Sequence, residues 1–466
     1  MASDDQRSPA PQDRERYEQV IGHLMSRWPE HVIEPSLVRI ASVVELLGDP
    51  QRATPMIHVT GTNGKTSTAR MIESLLRAFG LRTGLFTSPH LVDPRERICL
   101  DGEPISEERF TAVWDDIRPY VELVDVRSRD DGGIPLSFFE VMTAMAYAAF
   151  ADAPVDVAVV EVGMGGEWDA TNVGDGQVAV ITPIGLDHTE MLGETVEQIA
   201  VEKSGIIKAG SQAVLARQEP GAAQVLMARC SEVDAVPVRE GMEFAVLGRE
   251  LAVGGQVLTL QAQHGPIDQV YLPLFGEHQA QNAAVALAAV EAFLAGSFDL
   301  DPEVIREGFL NVTSPGRLQV VRRSPTVIVD AAHNPHGARA LAQSLQEFFD
   351  FGALVGVVGI LSQKDAQGVL IALEGVLDSV VVTAPSSPRA IPAEELAGLA
   401  AEIFGEDRVW IEYGLIDAID RAATVAEEVS DYGGSGVLVT GSVVLAGEAI
   451  RLMGEWPQGE RKRNRR

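Results

Sequence analysis

The run Ile57-His58-Val59-Thr60 leads directly into Gly61-Thr62-Asn63-Gly64-Lys65-Thr66-Ser67-Thr68. An apolar strand feeding a glycine-rich turn at the start of a helix makes a phosphate cradle. The glycines let backbone N–H groups approach, the helix end adds partial positive charge, and Lys65 supplies a point charge. Thr62, Asn63, Gly64, Lys65, Thr66 and Ser67 are therefore candidate nucleotide contacts, and Thr66 stands where a hydroxyl usually meets Mg2+. The strict pattern GxxxxGK[ST] is not met, because position 59 is Val; the shorter GxxGKT reading rests on its strand–loop–helix context.

Three more residues could complete a reaction centre. Glu161 ends the apolar run Val157–Val160, beside the turn Gly163-Met164-Gly165-Gly166. In a phosphate-loop sheet that position faces the metal, and Mg2+ prefers oxygen ligands; the alternative is a solvated charge at a strand end. His188 follows another apolar run, 178–182, just past a strand end, where open α/β sheets bind ligands. It is a metal candidate, although a lone histidine is usually structural. Lys203, in Glu202-Lys203-Ser204-Gly205-Ile206, reads by composition as a surface lysine on a helix.

Positioning these residues requires alternating elements. Apolar runs rich in Val and Ile at 56–60, 83–87, 155–162 and 178–182 predict buried strands, with helices at 66–79 and 139–150 between them. Such alternation implies a parallel sheet covered on both faces. From about residue 236 the texture changes. Residues 250–274 alternate with a period of two (Leu258, Leu260; Val270, Leu272) around Gly254-Gly255, which predicts a few antiparallel strands attached to the first domain. Residues 276–294 are Ala-rich and helical, and Thr313-Ser314-Pro315-Gly316 reads as a linker. Beyond it, 326–330, 354–360, 379–383, 408–411 and 437–440 read as strands.

The expected fold class is α/β. A phosphate-loop parallel-sheet ATPase domain with a small antiparallel β lobe spans 16–313, a hinge 314–318, and a smaller Rossmann-like α/β domain 319–457. The flanks 1–15 and 458–466 are expected to be disordered tails, the latter basic.

Composition narrows the function classes. The chain has 466 residues and a formal net charge of −30, with 46% hydrophobic and 22% charged residues. That is ordinary for a globular protein with an ample core. The charge argues against sequence-independent nucleic-acid binding, which needs a basic surface, and against docking on anionic lipid. It leaves room for small anions, because a local pocket can oppose the global field. Two cysteines, Cys99 and Cys230, fit a reducing cytosol better than a disulfide framework. No uncharged apolar run reaches the ~18 residues of a membrane span, and the polar start MASDDQRSPAPQDRE has no apolar signal region. A cytoplasmic protein is expected.

The segments HVTGTNGKTS, TSPHL, EVGMGGEWDATN, ITPIGLDHTEMLG, EKSGIIKAG, GEHQAQNA, PGRLQ and VDAAHNPHGA, taken together and in this order over roughly residues 20–455, resemble the folylpolyglutamate synthase/dihydrofolate synthase family, the folate branch of the Mur ligases. The resemblance implies an ATP-dependent ligase that activates a carboxylate as an acyl phosphate and joins it to L-glutamate. The acceptor would be dihydropteroate or the γ-carboxylate of a reduced folate. It further implies two Mg2+ ions and a monomer.

Carried over by position, the resemblance implies that Lys65 is the phosphate-loop lysine and that Ser88 and Glu161 ligate one Mg2+. His188 would ligate the second, together with Lys203 carried as a carbamate. Asn282, Arg317, Asp330 and His333 would contact the nucleotide, with Arg317 acting from the hinge as the domains close. Phe139, Asp169, Ala170 and Arg97 would hold the pterin; read without the resemblance, Phe139 is a core aromatic. His90, His278 and His336 lie inside the matched segments as structural or supporting residues. Two departures stand out: Ala331, where the family often has Gly, and 125–133, which reads as a local insertion affecting a loop near the folate pocket. The competing functions are another Mur-type amino-acid ligase and a phosphate-loop switch without ligase activity.

Overall fold

A computed structural model describes residues 11–28, 34–263, 265–295, 300–430 and 434–454. The basic tail expected at 458–466 lies outside them, as do residues 1–10. The chain forms two compact units. The first comprises Met1–Ala245, Leu260–Ile267 and Asn282–Asn311; the second comprises Val246–Thr259, Asp268–Gln281 and Val312–Arg466.

The first unit begins with α1 (Pro11–Met25), α2 (Val38–Leu46), β1 (Met56–Thr60) and α3 (Lys65–Ala78). After β2 (Thr83–Phe86), β3 (Ile98–Leu100) and β4 (Glu103–Pro104) come α4 (Glu107–Asp130), α5 (Phe138–Asp152), β5 (Val157–Glu161), β6 (Val178–Ile181) and α6 (Thr189–Leu192). Next are α7 (Val196–Ser204), β7 (Gln212–Leu215), α8 (Pro220–Glu232) and β8 (Val236–Arg239). The strands build one eight-stranded sheet ordered β4-β3-β2-β5-β1-β6-β7-β8. From β2 to β8 neighbours run parallel, while β3 and β4 are antiparallel additions at one edge. Every residue of β1, β5 and β6 is buried, as expected for a parallel sheet covered on both faces. β1 lies between β5 and β6, with Val59 opposite Glu161 and Thr60 opposite Ile181. The carboxyl ends of the three strands are thereby level, which gathers their following loops at one edge.

Local signals set the helix starts. Ser137 and Glu140 form a capping box for α5, and Thr195 and Gln198 one for α7, so each satisfies two backbone donors that a bare helix end would leave unpaired. One core packs Phe86, Phe110, Trp114 and Phe150 with residues of α1, α2, α4 and α5. Another packs Ile181, Ile199, Ala213 and Leu226 of β6, α7, β7 and α8.

One expectation is corrected at the start of the chain. The tail expected at 1–15 overlaps α1, which starts at Pro11. Its Tyr17, Val20 and Leu24 are buried, and these i, i+3, i+7 positions form one apolar helix face. Of the stretch 125–133 that reads as a local insertion, residues 125–130 form the end of α4. Asp125 is its buried anchor, pairing with Arg27 at 3.0 Å and accepting from Leu136 N at 2.8 Å.

The remaining elements are β9 (Ala245–Ala252), β10 (Gly255–Ala262), β11 (Gly265–Leu272), α9 (Glu277–Leu294), α10 (Pro302–Leu310), β12 (Gln319–Arg323), β13 (Thr326–Val329), α11 (Pro335–Phe348), β14 (Ala353–Val358) and α12 (Ala366–Glu374). They continue with β15 (Ser379–Val382), α13 (Ala393–Phe404), β16 (Val409–Ile411), α14 (Leu415–Val429), β17 (Ser435–Thr440) and α15 (Val443–Leu452). β9 to β11 form a three-stranded sheet ordered β11-β10-β9. In β10 the residues Gln256, Leu258, Leu260 and Ala262 are buried while those between are less so, the period of two expected of a half-buried strand. The sequence reading attached these strands to the first domain; most of their residues belong to the second unit.

The second unit's main sheet is ordered β12-β13-β17-β14-β15-β16. β12 and β13 pair antiparallel and the other neighbours parallel. Ile328, Val358, Leu370, Leu396 and Leu438 lie in its core.

Candidate active site

The phosphate loop leaves β1 at Thr60 and enters α3 at Lys65, with Gly64 as the left-handed residue before the helix (φ +86°). Gly61 has φ +148°, and a Cβ there would lie 1.8 Å from Thr182 Oγ1, so no larger residue fits. Thr182 Oγ1 lies 2.8 Å from Asn63 O and 3.1 Å from Thr60 O, so its single proton braces the loop against the residue after β6. Thr62 N donates to Pro183 O at 3.1 Å, and Thr62 Oγ1 lies 3.0 Å from both Gly185 O and Gly185 N. Lys65 Nζ folds onto its own loop, 3.1 Å from Gly61 O and 3.3 Å from Thr62 O. Asn282 of α9 reaches the same loop: a Cβ on Gly64 would stand 2.6 Å from its Oδ1.

Glu161, at the end of β5, is buried. Its Oε1 accepts from Thr66 Oγ1 at 2.8 Å, and its Oε2 from Ser88 N at 3.2 Å. A carboxylate thus meets the Thr66 hydroxyl and the Ser88 backbone beside a phosphate loop. Carboxylate and hydroxyl oxygens are the donor type that Mg2+ shares with phosphate oxygens. The loop carrying Ser88 is closed by Glu96, whose buried carboxylate accepts from Leu91 N, Val92 N and Asp93 N at 2.8–2.9 Å.

The second expected metal centre is less complete. His188 is a left-handed residue (φ +50°) before α6, with Nε2 3.9 Å from Asp187 Oδ1. Among the described residues, no three of His, Cys, Asp and Glu gather where they could hold a metal ion. Lys203 is not the surface lysine its composition suggests. It is 3% exposed, and Nζ donates to Gly61 O at 2.9 Å. Burial, with Lys65 nearby, lowers its pKa to about 7, so much of it is a neutral amine at neutral pH. As a plain amine or ammonium it offers no anionic oxygen, and the donor set for a second ion is not met by these side chains as they stand.

The residues expected around the pterin are spread over α5 and the loops next to β3 and β5. The Phe139 ring packs on Phe86, centroids 5.8 Å apart. Arg97 is buried; its Nε donates to His90 Nδ1 at 2.8 Å, and its guanidinium lies 5.1 Å from the Phe138 ring centre. Asp169 is buried, and both its oxygens already accept: Oδ1 from Thr171 N and Thr171 Oγ1, Oδ2 from Met164 N. Burial raises its pKa, opposed by these bonds. Ala170 starts the short turn of helix that Asp169 caps.

In the second unit, Asp330 at the end of β13 is buried and accepts from Leu318 N at 2.9 Å and Ala332 N at 2.8 Å. Burial raises its pKa, and the Arg317 charge opposes that rise. His333 Nδ1 is 3.0 Å from Ala331 O. Burial lowers the His278 pKa to about 4, assisted by Arg317, His336 and Arg249.

Sequence reasoning missed Thr182, Thr60, His58 and Thr171. For Thr182, Thr60 and His58 a signal was present: polar residues at the end of, or inside, otherwise apolar parallel strands need buried partners; Thr171, in the short helical turn after Asp169, carried no such signal.

Two family models match, "Mur ligase middle domain" over residues 137–290 and "Mur ligase, glutamate ligase domain" over 316–443. The dihydrofolate synthase/folylpolyglutamate synthase of Mycobacterium tuberculosis is 53% identical over 458 residues, covering 94% of each chain. The solved Mycobacterium tuberculosis folylpolyglutamate synthase complexed with ADP has a TM-score of 0.92 at 53% identity, over 96% of this chain and 100% of that one. The E. coli FolC structure in complex with DHPP and ADP has a TM-score of 0.81 at 31% identity, over 96% of this chain and 99% of that one.

Proposed function

The chain belongs to the folylpolyglutamate synthase/dihydrofolate synthase family of Mur ligases, and on that premise we propose that it joins L-glutamate to dihydropteroate, to the γ-carboxylate of a reduced folate, or to both, at the expense of ATP. The observation that carries this reading is the buried Glu161 held between Thr66 of the phosphate loop and Ser88. It places an anionic oxygen beside a phosphate cradle in a chain whose relatives were solved with ADP.

The chemistry has two displacements. A carboxylate oxygen of the folate substrate attacks the γ-phosphorus of ATP, the bond to ADP breaks, and an acyl phosphate forms. The amine of glutamate then attacks the acyl carbon, the C–O bond to phosphate breaks, and the nitrogen loses a proton. The first step brings two anions together, so charge neutralisation and positioning dominate. Backbone N–H groups of Gly61–Lys65 and the start of α3 bind phosphate, and Lys65 leaves its own loop carbonyls to meet the β/γ oxygens. Thr66, Ser88 and Glu161 would hold Mg2+, which supplies Lewis-acid stabilisation of the phosphoryl oxygens. Asn282, Arg317, Asp330 and His333 are further nucleotide contacts, and Phe139, Arg97, Ala170 and Asp169 surround the pterin.

Lys203 fits one more part of the reading. The neutral form of a buried amine can attack CO2 and lose a proton, giving a carbamate whose single negative charge is shared by two oxygens. That change would provide, with His188, the ligands of a second Mg2+ that the unmodified side chains lack. In this reading a single cytoplasmic chain does the work.

Purified protein supplied with ATP, Mg2+, L-glutamate and dihydropteroate should release phosphate only when all four are present. ATP turnover independent of glutamate, with no ligated product, would overturn the assignment. Competing dihydropteroate against a reduced folate decides which acceptor is preferred.

A further inference from the structure

His58 and Thr60 lie two residues apart on β1, so their side chains leave the same face of the strand. Both reach the glycine-rich turn that follows β5. Thr60 Oγ1 donates directly to Gly165 O at 2.8 Å. His58 reaches it through a chain: Nε2 is 2.8 Å from Thr171 Oγ1, that hydroxyl donates to Asp169 Oδ1, and Asp169 Oδ2 accepts from Met164 N at 2.9 Å. Tyr147 of α5 steadies the middle of the chain, its OH donating to Thr171 O at 2.6 Å.

The protons run in one direction. Both oxygens of Asp169 accept, so the Thr171 hydroxyl proton points to Asp169, and His58 must donate from Nε2. That assigns the Nε2–H tautomer and leaves Nδ1 as a buried acceptor, which has no hydrogen-bond partner among the described residues. An unsatisfied buried acceptor is costly, and an apolar residue at a fully buried position of a parallel strand would avoid the cost. The chain ends one residue from Gly163, whose Cα is pressed against Phe139: a Cβ there would stand 2.5 Å from Phe139 Cζ. The phosphate loop is braced separately, by Thr182 and by the Thr62 contacts to Pro183 and Gly185.

We propose that His58, acting through Thr171 and Asp169, is a positioning residue for the folate side of the site. It sets the Gly163–Gly166 turn against Phe139 and leaves the nucleotide loop to its own braces. The inference rests on the folate-ligase reading and deepens it. It gives Asp169 the role of holding the turn, and it assigns His58 a part that touches neither substrate.

The test compares T171V, H58L and H58Q with wild type. T171V keeps the side-chain volume and removes the hydroxyl; H58L removes the donor; H58Q returns an N–H near the Nε2 position. T171V and H58L should raise KM for dihydropteroate about 10-fold or more, since a small displacement at a positioned substrate is costly. KM for ATP and ADP affinity by calorimetry should change less than about 2-fold, and H58Q should recover most of the dihydropteroate KM. Thermal melts establish that each variant is folded, and T171V carries the test if H58L is not. Unchanged dihydropteroate KM in folded T171V, an equal rise in KM for ATP, or H58Q behaving like H58L would overturn the inference while leaving the ligase reading intact. A wild-type protein that forms no ligated product would overturn the ligase reading, and this inference with it.

Discussion

Thr66 Oγ1 donates to Glu161 Oε1 across 2.8 Å, joining the first turn of α3 to the end of β5. The two residues are 95 positions apart in the chain, and the parallel pairing of β1 with β5 brings them together. In the proposed reading their oxygens help to hold Mg2+. Glu161→Gln keeps an acceptor for Thr66 and removes the charge. It should raise the Mg2+ concentration for half-maximal activity by roughly 10-fold, the scale seen when metal-supporting groups are lost. An unchanged Mg2+ titration would take Glu161 out of the metal shell.

Lys203→Ala should lower kcat by about 100-fold or more, as expected when a charged group positioned at phosphoryl transfer is lost. A short-chain carboxylate added to the assay should restore part of the rate by returning anionic oxygens. Full activity in the variant would reject the carbamate role, and mass spectrometry of the intact protein under CO2 offers an independent reading.

Gly61→Ala places a methyl where Thr182 Oγ1 now braces Thr60 and Asn63. The loop must shift or Thr182 must turn away. KM for ATP should rise about 10-fold or more, measured beside the KM for dihydropteroate. Equal ATP kinetics in wild type and variant would show that the brace does not shape the loop.

His58 also makes stability depend on pH. Burial lowers its pKa from 6.5 to about 3, so between these values the unfolded chain binds a proton that the folded chain refuses. Its contribution is fully present above pH 6.5 and is lost as pH falls toward 3, at no more than about 1.4 kcal/mol per pH unit. Urea unfolding at pH 7 and pH 5 should show wild type losing more stability than H58Q. Equal losses would mean that His58 does not carry this acid sensitivity.

Tyr17 ties α1 to the loop that presents Ser88. It is 3% exposed, its OH donates to Asp93, and Asp93 caps the turn through Arg95. Tyr17→Phe keeps the edge-on packing against Phe110 and should cost about 1–2 kcal/mol, because Arg95 still partners Asp93. Urea unfolding measures this; no loss of stability would show that the bond does not anchor the helix.

The strands carrying the site were legible because parallel strands buried on both faces are continuous apolar runs. The expected 56–60 coincides with β1, and Glu161 and the phosphate loop stood out as polar punctuation at the ends of such runs. Less legible were segments whose partners are distant in sequence. Nothing near Asp125 in the sequence indicated that Arg27 would pair with it inside the fold. The first turn of α1 falls in the tail expected at 1–15 because its residues are polar, while the apolar face that anchors the helix begins at Tyr17.

By itself the sequence determined which side chains could do chemistry, their order and the family pattern they follow, since these depend on residue type and local spacing. Only the tertiary structure decided that Lys203 is buried on the Gly61 carbonyl, that Asp169 is committed at both oxygens to its own turn, and that His58 faces that turn through Thr171. The physical reason is that a titratable group's charge state and donor direction depend on solvent exclusion and on partners tens of residues away. Those exist only once the strands are laid side by side.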